Sequence, residues 1–282
     1  TGWVVPPNSQ GYLTIGSAAV IDRLEPPDDP EDPRSWHLAI EAYRSLAVDR
    51  NDLVSDPKFA PEPPGALVSD ERIAERARRV DPGRAGDFTS PSPAPGGTAY
   101  LAVIDAAGLA VSFIQSNFMG IGSGLGAGDA GFFLHNRGAG FDLRPGHPNE
   151  LRPGRRPMHT LAPTLWTRRG SLDLVLGTRG GDQQPQLLMQ FAAAHYHAGT
   201  SIEDTQQLPR WTMSLPAHTG SQIDVEARFP EATVGGLVAR GHSVTAADEW
   251  MAGWGPISAI DAGGGMRGAA DPRVTTSAAI SG

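Results

Sequence analysis

The sequence predicts a layered α/β fold, and three observations predict it. Short apolar hairpins alternate with helical stretches along the chain. Thirty-five glycines and 25 prolines break its 282 residues into many turns. One strong helical pattern, Pro185 to Ala198, is stopped by Gly199. A chain of this length buries a full core, as one large domain or two intimate ones. The net charge is −8 and the basic residues are scattered, which argues against a nucleic-acid partner. No apolar run approaches the roughly 18 residues of a spanning helix, and the first residues are not a signal peptide. With no cysteine there is no disulfide framework and no thiolate metal site. Nothing fixes the compartment; the cytoplasm is the working expectation.

Taken in order, Trp3-Val4-Val5 reads as a short strand ended by Pro6-Pro7. The turn Asn8 to Gly11 caps a helix over Leu13 to Leu24. Glu25 to Arg34 is an acidic, proline-rich loop, and Ser35 caps a second helix, Trp36 to Arg50. Ser69 or Asp70 opens a short helix to Val80. Residues 81 to 97 read as a flexible Pro/Gly linker. Tyr100 to Ile104 and Leu109 to Ile114 form a hairpin around Asp105-Ala106-Ala107-Gly108. Met119 to Gly131 is Gly-rich but matches neither phosphate-loop nor dinucleotide patterns. Phe132 to Leu134 reads as a strand, and Thr164 to Trp166 with Leu172 to Leu176 as a second hairpin. Gly177 to Gly181 turns from strand to helix. Ser201 caps the next helix, Phe229 to Gly241 is a further helix, and Ser258 to Asp261 and Met266 to Ala269 are late strands.

The candidate for chemistry is Thr98, which follows Gly96-Gly97 and opens the first hairpin, a pattern that an ordinary hairpin after a loop shows equally. A Thr freed at its amine by cleavage after Gly97 combines a hydroxyl nucleophile with an amine base of reference pKa about 7.7–8.0. Gly97 bends freely, as backbone self-cleavage requires. Thr1 is the alternative nucleophile, but one short strand follows it and no hairpin. His135, His147, His159, His195 and His197 lack tight metal-ligand spacing with carboxylates, so no metal and no cofactor is expected. Asp142 and Asp182 are further candidates for substrate contact, without a spacing that demands it.

Residues 98 to 124 resemble the start of the small subunit of γ-glutamyltranspeptidases: Thr98, the Asp105–Gly108 turn, Ser116, and the Gly122-Ser123-Gly124 loop. The resemblance extends along the chain in order. Pro6 to Gly11, Asp49-Arg50 and Asp56-Pro57 match the end of the large subunit. Arg156 to Thr164, Gly177 to Gly181 and Gly268 to Arg273 match later segments. It implies a four-layer α-β-β-α sandwich of the N-terminal-nucleophile hydrolase type. It also implies a large-subunit-like region over 1–97 and a small-subunit-like catalytic region over 98–282, together forming one structural domain. Self-processing between Gly97 and Thr98 is implied too.

By the same resemblance, Thr98 attacks an acyl carbonyl, Ser116 orients it, and the backbone N–H groups of Gly180 and Gly181 hold the oxyanion. Tyr100, Phe118, Arg137, His159 and Thr160 line the acyl pocket. Departures from the family pattern bear on the substrate. The family's Asn is Phe118, its Gln/Glu is Arg137, its Asp is Gly140, and its paired serines are His159 and Thr160. Asn117 could replace the missing Asn only if the strand slips by one residue, which flips its side chain. Acceptors for an ammonium are gone and a cation has arrived, so an ordinary γ-glutamyl compound is disfavoured.

The expectation is therefore a hydrolase or acyltransferase acting on a small-molecule acyl substrate, with a missing large-subunit segment or second subunit as partner. Two alternatives stay open. One is a C–C bond hydrolase of an antibiotic biosynthetic pathway. The other is an unprocessed, non-catalytic relative serving as a binding or structural protein.

Overall fold

The computed structural model describes residues 1–88, 97–213 and 222–281. The elements are β1 (Gly2–Val4), α1 (Tyr12–Leu24), α2 (Pro33–Ala47), α3 (Arg50–Leu53), α4 (Asp70–Arg78), β2 (Gly97–Ile104), β3 (Ala110–Phe118), β4 (Thr164–Arg168), β5 (Ser171–Thr178), α5 (Gln184–Tyr196), α6 (Ile202–Gln207), β6 (Trp211–Thr212), β7 (Gln222–Glu226), α7 (Glu231–Ala239), β8 (Ser243–Ala247), β9 (Ile257–Asp261) and β10 (Arg267–Ala269). A five-stranded sheet runs β1-β4-β5-β9-β10, all antiparallel. The β2–β3 hairpin stands alone in its own ladder, and β6-β7-β8 form a third sheet.

Strand β5 shows how the layers stack. Leu174, Val175 and Leu176 are all fully buried, so both faces of this strand are covered. Leu174 and Leu176 pack on Leu187, Leu188 and Phe191 of α5. Side chains alternate across a strand, so Val175 and Gly177 face the other way, towards the hairpin. Tyr100 confirms the parity: a Cβ on Gly177 would lie 2.0 Å from its ring. A second cluster joins α1 and α2 to the three-stranded sheet through Leu13, Ile40, Tyr43, Trp211 and Ile223. On the hairpin itself, residues 98, 100, 102 and 104 face inward, while Leu101, Val103, Val111 and Phe113 of the opposite face remain about half exposed.

Several expectations need correction. The second helix starts at Pro33 and is capped by Asp32, which accepts from Arg34 N at 2.7 Å; Ser35 caps nothing. It stops at Ala47, and Arg50 belongs to the separate α3. No side chain caps α1. Phe132 to Leu134 is not a strand and makes only an isolated bridge from Phe133 to Gly126. The linker is packed at its start: Ala85 N donates to Arg240 O at 2.7 Å, and Phe88 is buried. Residues 89–96 of that linker lie outside the described residues. The sheet β6-β7-β8 was not expected. No described helix is long and apolar enough to cross a membrane.

Candidate active site

The end of the hairpin brings Thr98 opposite Ser116. Thr98 Oγ1 donates to Ser116 Oγ at 3.0 Å, and Ser116 Oγ donates to the Gly97 carbonyl at 3.0 Å. Phe118 N donates to the same Ser116 oxygen at 2.9 Å. A hydroxyl has one proton and two lone pairs, so all of Ser116's capacity is spent here. The ladder then shifts. Gly97 pairs with Phe118 and Thr98 with Ser116, leaving Asn117 as an extra residue in a bulge. The register from Thr98 to Ile104 is unbroken, so this is a local bulge and not the one-residue slip on which a role for Asn117 depended. The bulge sends the Asn117 amide to Ile121 O at 3.3 Å, in the Gly-rich loop. Phe118 adopts φ 78°, a left-handed conformation uncommon for a bulky residue, and its side chain is buried. Position 97 admits no side chain: a Cβ would sit 2.3 Å from the Gly120 carbonyl oxygen. Asn136 holds that approach in place. It accepts from Met119 N at 2.9 Å and donates to Met119 O and Gly122 O.

Arg137 follows Asn136, whose backbone N–H donates to Asn117 O at 3.1 Å. The Arg137 guanidinium lies over the Phe118 ring, 5.2 Å from its centroid. The residue is 8% exposed, and its Nη1 and Nη2 are buried without a hydrogen-bond partner among the described residues. Burial lowers its pKa. His159 is near enough to feel this cation. Burial first, then Arg137 and Arg156, push His159 down to about 4, so it is neutral at pH 7. Thr160 is buried, and with Phe118, Gly140, Met158, Arg50 and Asp182 it lines a cavity of about 210 Å³. Tyr100 is more deeply set. Its hydroxyl bonds Ser112 at 2.7 Å beneath the hairpin, and burial raises its pKa.

The turn after β5 carries Gly180 and Gly181, the expected oxyanion donors. Gly180 has φ 120° and Gly181 φ 59°, and a Cβ on Gly180 would meet Trp254 O at 2.1 Å. Neither glycine N–H donates to another described residue; Gly180 caps, and Gly181 opens, the short helical turn that leads into α5. Free N–H groups at a helix start favour negative charge.

Residues without an assigned role in the sequence reading hold this turn. Gln10, fully buried, donates to Thr160 O at 3.3 Å and Gly181 O at 3.1 Å, and accepts from Arg50 at 2.7 Å. Arg50 also pairs with Asp182. The neighbouring residues Asn8 to Gln10 run beside His159, with His159 N donating to Asn8 O at 2.9 Å and Gln10 N to His159 O at 3.0 Å. Asp56 accepts from Arg156 N at 3.1 Å. The signal was present in the Pro6–Gly11 turn and the Asp49-Arg50 and Asp56-Pro57 pairs, but nothing local told which segment they would grip. Thr1 sits at the sheet edge, its amine on Thr167 O at 2.6 Å.

A family model described as gamma-glutamyltranspeptidase matches residues 2–281. The oxamate amidohydrolase proenzyme of Klebsiella pneumoniae is 31% identical over 282 residues, covering 99% of this chain and 53% of that protein. The glutathione hydrolase-like YwrD proenzyme of Bacillus subtilis is 33% identical over 275 residues, covering 95% and 51%. Among solved structures, the cephalosporin acylase from Bacillus halodurans superposes with a TM-score of 0.88 at 31% identity, covering all of this chain and 51% of that one. The chain spans about half the length of the curated relatives it matches.

Proposed function

The chain belongs to the gamma-glutamyltranspeptidase family, and on that premise we propose that it is the catalytic part of a self-processing threonine hydrolase or acyltransferase, cut between Gly97 and Thr98. The observation that carries this reading is the run of hydrogen bonds from Thr98 Oγ1 to Ser116 Oγ to the Gly97 carbonyl. It sets the hydroxyl beside the peptide bond to be cut, and Ser116 polarises that carbonyl. Attack by Thr98 Oγ1 on the Gly97 carbonyl carbon moves the acyl group from nitrogen to oxygen. Water then hydrolyses the ester, leaving a Gly97 carboxylate and a free Thr98 amine. In turnover that amine takes the hydroxyl proton as Thr98 attacks the substrate amide and passes it to the leaving amine; water releases the acyl group. The N–H groups of Gly180 and Gly181 receive the oxyanion in both addition steps. Phe118, Arg137, His159 and Thr160 shape the acyl pocket, and Tyr100 supports the hairpin from below.

A large-subunit-like segment completes the four-layer sandwich in this reading. The exposed apolar face of Leu101, Val103, Val111 and Phe113 supports it, as does the half-length match to relatives that are themselves proenzymes. Residues 1–97 and 98–282 are then the large-subunit-like and small-subunit-like parts of one domain. The pocket does not suit a γ-glutamyl group, and an amidohydrolase reading fits better than ordinary glutathione hydrolysis.

Two variants test the machinery in the complete protein. Thr98→Ala should abolish both self-cleavage on a denaturing gel and turnover. Full activity in that variant, or an acyl adduct on Thr1 by mass spectrometry, would sink the assignment. A backbone ester in place of the Gly181 amide removes one N–H while leaving φ 59° accessible, and should lower kcat by about a hundred- to thousandfold; unchanged kinetics in the folded variant would refute the oxyanion role.

A further inference from the structure

Arg137 is a buried cation that the fold does not answer. Its Nη1 and Nη2 donate to nothing among the described residues, and the Phe118 ring is the face it lies against. A guanidinium taken out of water normally finds a carboxylate or carbonyl acceptor. The acids that line the cavity with Phe118 are engaged elsewhere. Asp182 pairs with Arg50, and Asp142 with Arg144 at 2.8 Å. Position 140 cannot supply one, since a Cβ on Gly140 would lie 2.8 Å from Met158 O. His159 adds no charge at neutral pH. Among the described residues Arg137 is therefore a positive charge without a counter-charge, lying against Phe118, which lines the cavity. It is tied to the nucleophile through two short links. Phe118, under the guanidinium, pairs with Gly97 in the ladder, and Asn136, the preceding residue, bonds the bulged Asn117.

We propose that Arg137 is the receptor for a carboxylate carried by the acyl group, so that the substrates are monoamides of short dicarboxylic acids with no ammonium beside that carboxylate. The position of the acyl group rests on Thr98 being the nucleophile. A planar guanidinium presents paired donors that match a carboxylate, and the low-polarity ring beneath it strengthens the pairing. An ammonium in the same place would meet an unscreened like charge and no acceptor, which sets this class apart from γ-glutamyl compounds.

The test uses the processed, complete enzyme and three p-nitroanilides of equal reach: glutaryl (carboxylate alone), γ-glutamyl (carboxylate and ammonium) and valeryl (neither). The expected result is that kcat/KM for glutaryl exceeds that for valeryl by ~30-fold or more, the usual worth of a hydrogen bond to a charged group. The γ-glutamyl compound falls well below glutaryl. In Arg137→Met the glutaryl-to-valeryl ratio collapses towards one, mainly through KM, and Arg137→Lys recovers part of it. A ratio near one in the wild type, a ratio unchanged in Arg137→Met, or a preference for γ-glutamyl would each overturn the proposal. Calorimetry of glutarate on wild type, Arg137→Met and Arg137→Lys reads the anion site without turnover. Binding lost in Arg137→Met supports it, and equal binding overturns it. The two readings fail separately. If Thr98 is not the nucleophile, Thr98→Ala keeps turnover while glutarate binding still depends on Arg137. If only the carboxylate reading is wrong, Thr98 gains a valeryl adduct as readily as a glutaryl one.

Discussion

Three arginines of this molecule that are nearly closed off from solvent, Arg137, Arg210 and Arg273, are treated differently. Beside α6 and the last strands, Arg210 and Arg273 are 4% and 6% exposed. Arg273 bonds both oxygens of Glu226, at 2.6 and 2.7 Å, and Arg210 bonds Asp271 at 2.7 Å. Gln206 and the carbonyls of Gln206 and Leu208 accept from the remaining guanidinium donors. Burial lowers Arg210 to about 10, with Arg273 adding to the fall and Asp271 opposing it. For Asp271, burial works to raise the pKa, but Arg210 and Arg273 outweigh it and leave it lowered. Arg137, by contrast, has no acid partner among the described residues. The first arrangement locks two chain segments together. The second leaves interaction capacity unspent over Phe118, whose ladder partner Gly97 precedes the candidate nucleophile. Buried charges that a fold needs only for itself are answered within the fold, so an unanswered one points outward to a ligand.

The contrast is best broken where the expected effect is largest. Arg273→Met strips Glu226 of its two shortest donors while Asp271 keeps Arg210, and should cost about 3–5 kcal/mol, because a buried acid loses its main counter-charge. Urea unfolding reads this as a lower midpoint at constant slope. An unchanged midpoint would show that the network contributes little. Arg137→Met should behave in the opposite way: the same measurement should give no loss, or a gain of about 1 kcal/mol, since an unpaired buried cation is replaced by a side chain of similar length. A loss as large as that of Arg273→Met would mean that Arg137 has an internal partner after all.

The finest test reads the field of Arg137 at its neighbour. His159 has a folded pKa of about 4, below the reference of about 6.5. The unfolded chain therefore binds more protons than the native one between those values. His159 costs no stability above about pH 6.5, and the cost grows as pH falls towards 4. Removing Arg137 deletes the second cause of the depression and leaves the first, burial. The His159 pKa should then rise part of the way towards its ordinary value in an NMR titration, and the acid-side loss of stability should shrink. A His159 titration identical in wild type and Arg137→Met would mean that the cation is already neutralised.

Much of the scaffold is legible locally. The Asp105–Gly108 turn works as its residues dictate: Asp105 accepts from Ala107 N and Leu109 N, at 2.9 and 2.8 Å, and Gly108 takes φ 83°. Ser69 and Ser201 cap their helices through bonds to the N–H groups three residues on. The β6-β7-β8 sheet was not legible. One of its strands has two residues, too short for any periodicity, and β7 and β8 pair in parallel across the intervening α7. The choice of Asp32 over Ser35 as a cap was also hidden, because both are good cap residues and the helix start depended on Pro33.

By itself, then, the sequence determined the hairpin and its turn, since turn chemistry and strand alternation are local properties of the backbone; the pairing of Thr98 with Ser116 was implied only by the resemblance, and the observed register, with Ile104 opposite Ala110, supplies it. Tertiary structure alone decided three things. It put β9 beside β5 and so brought Gly255 and Trp254 against the Gly180 turn. It made Gln10 and Arg50, more than a hundred residues upstream, the clamps of that turn. And it buried Arg137 over Phe118 with no acid partner among the described residues. Each depends on contacts between segments far apart in the chain, where burial and partner choice follow from packing and cannot be read from neighbours in sequence.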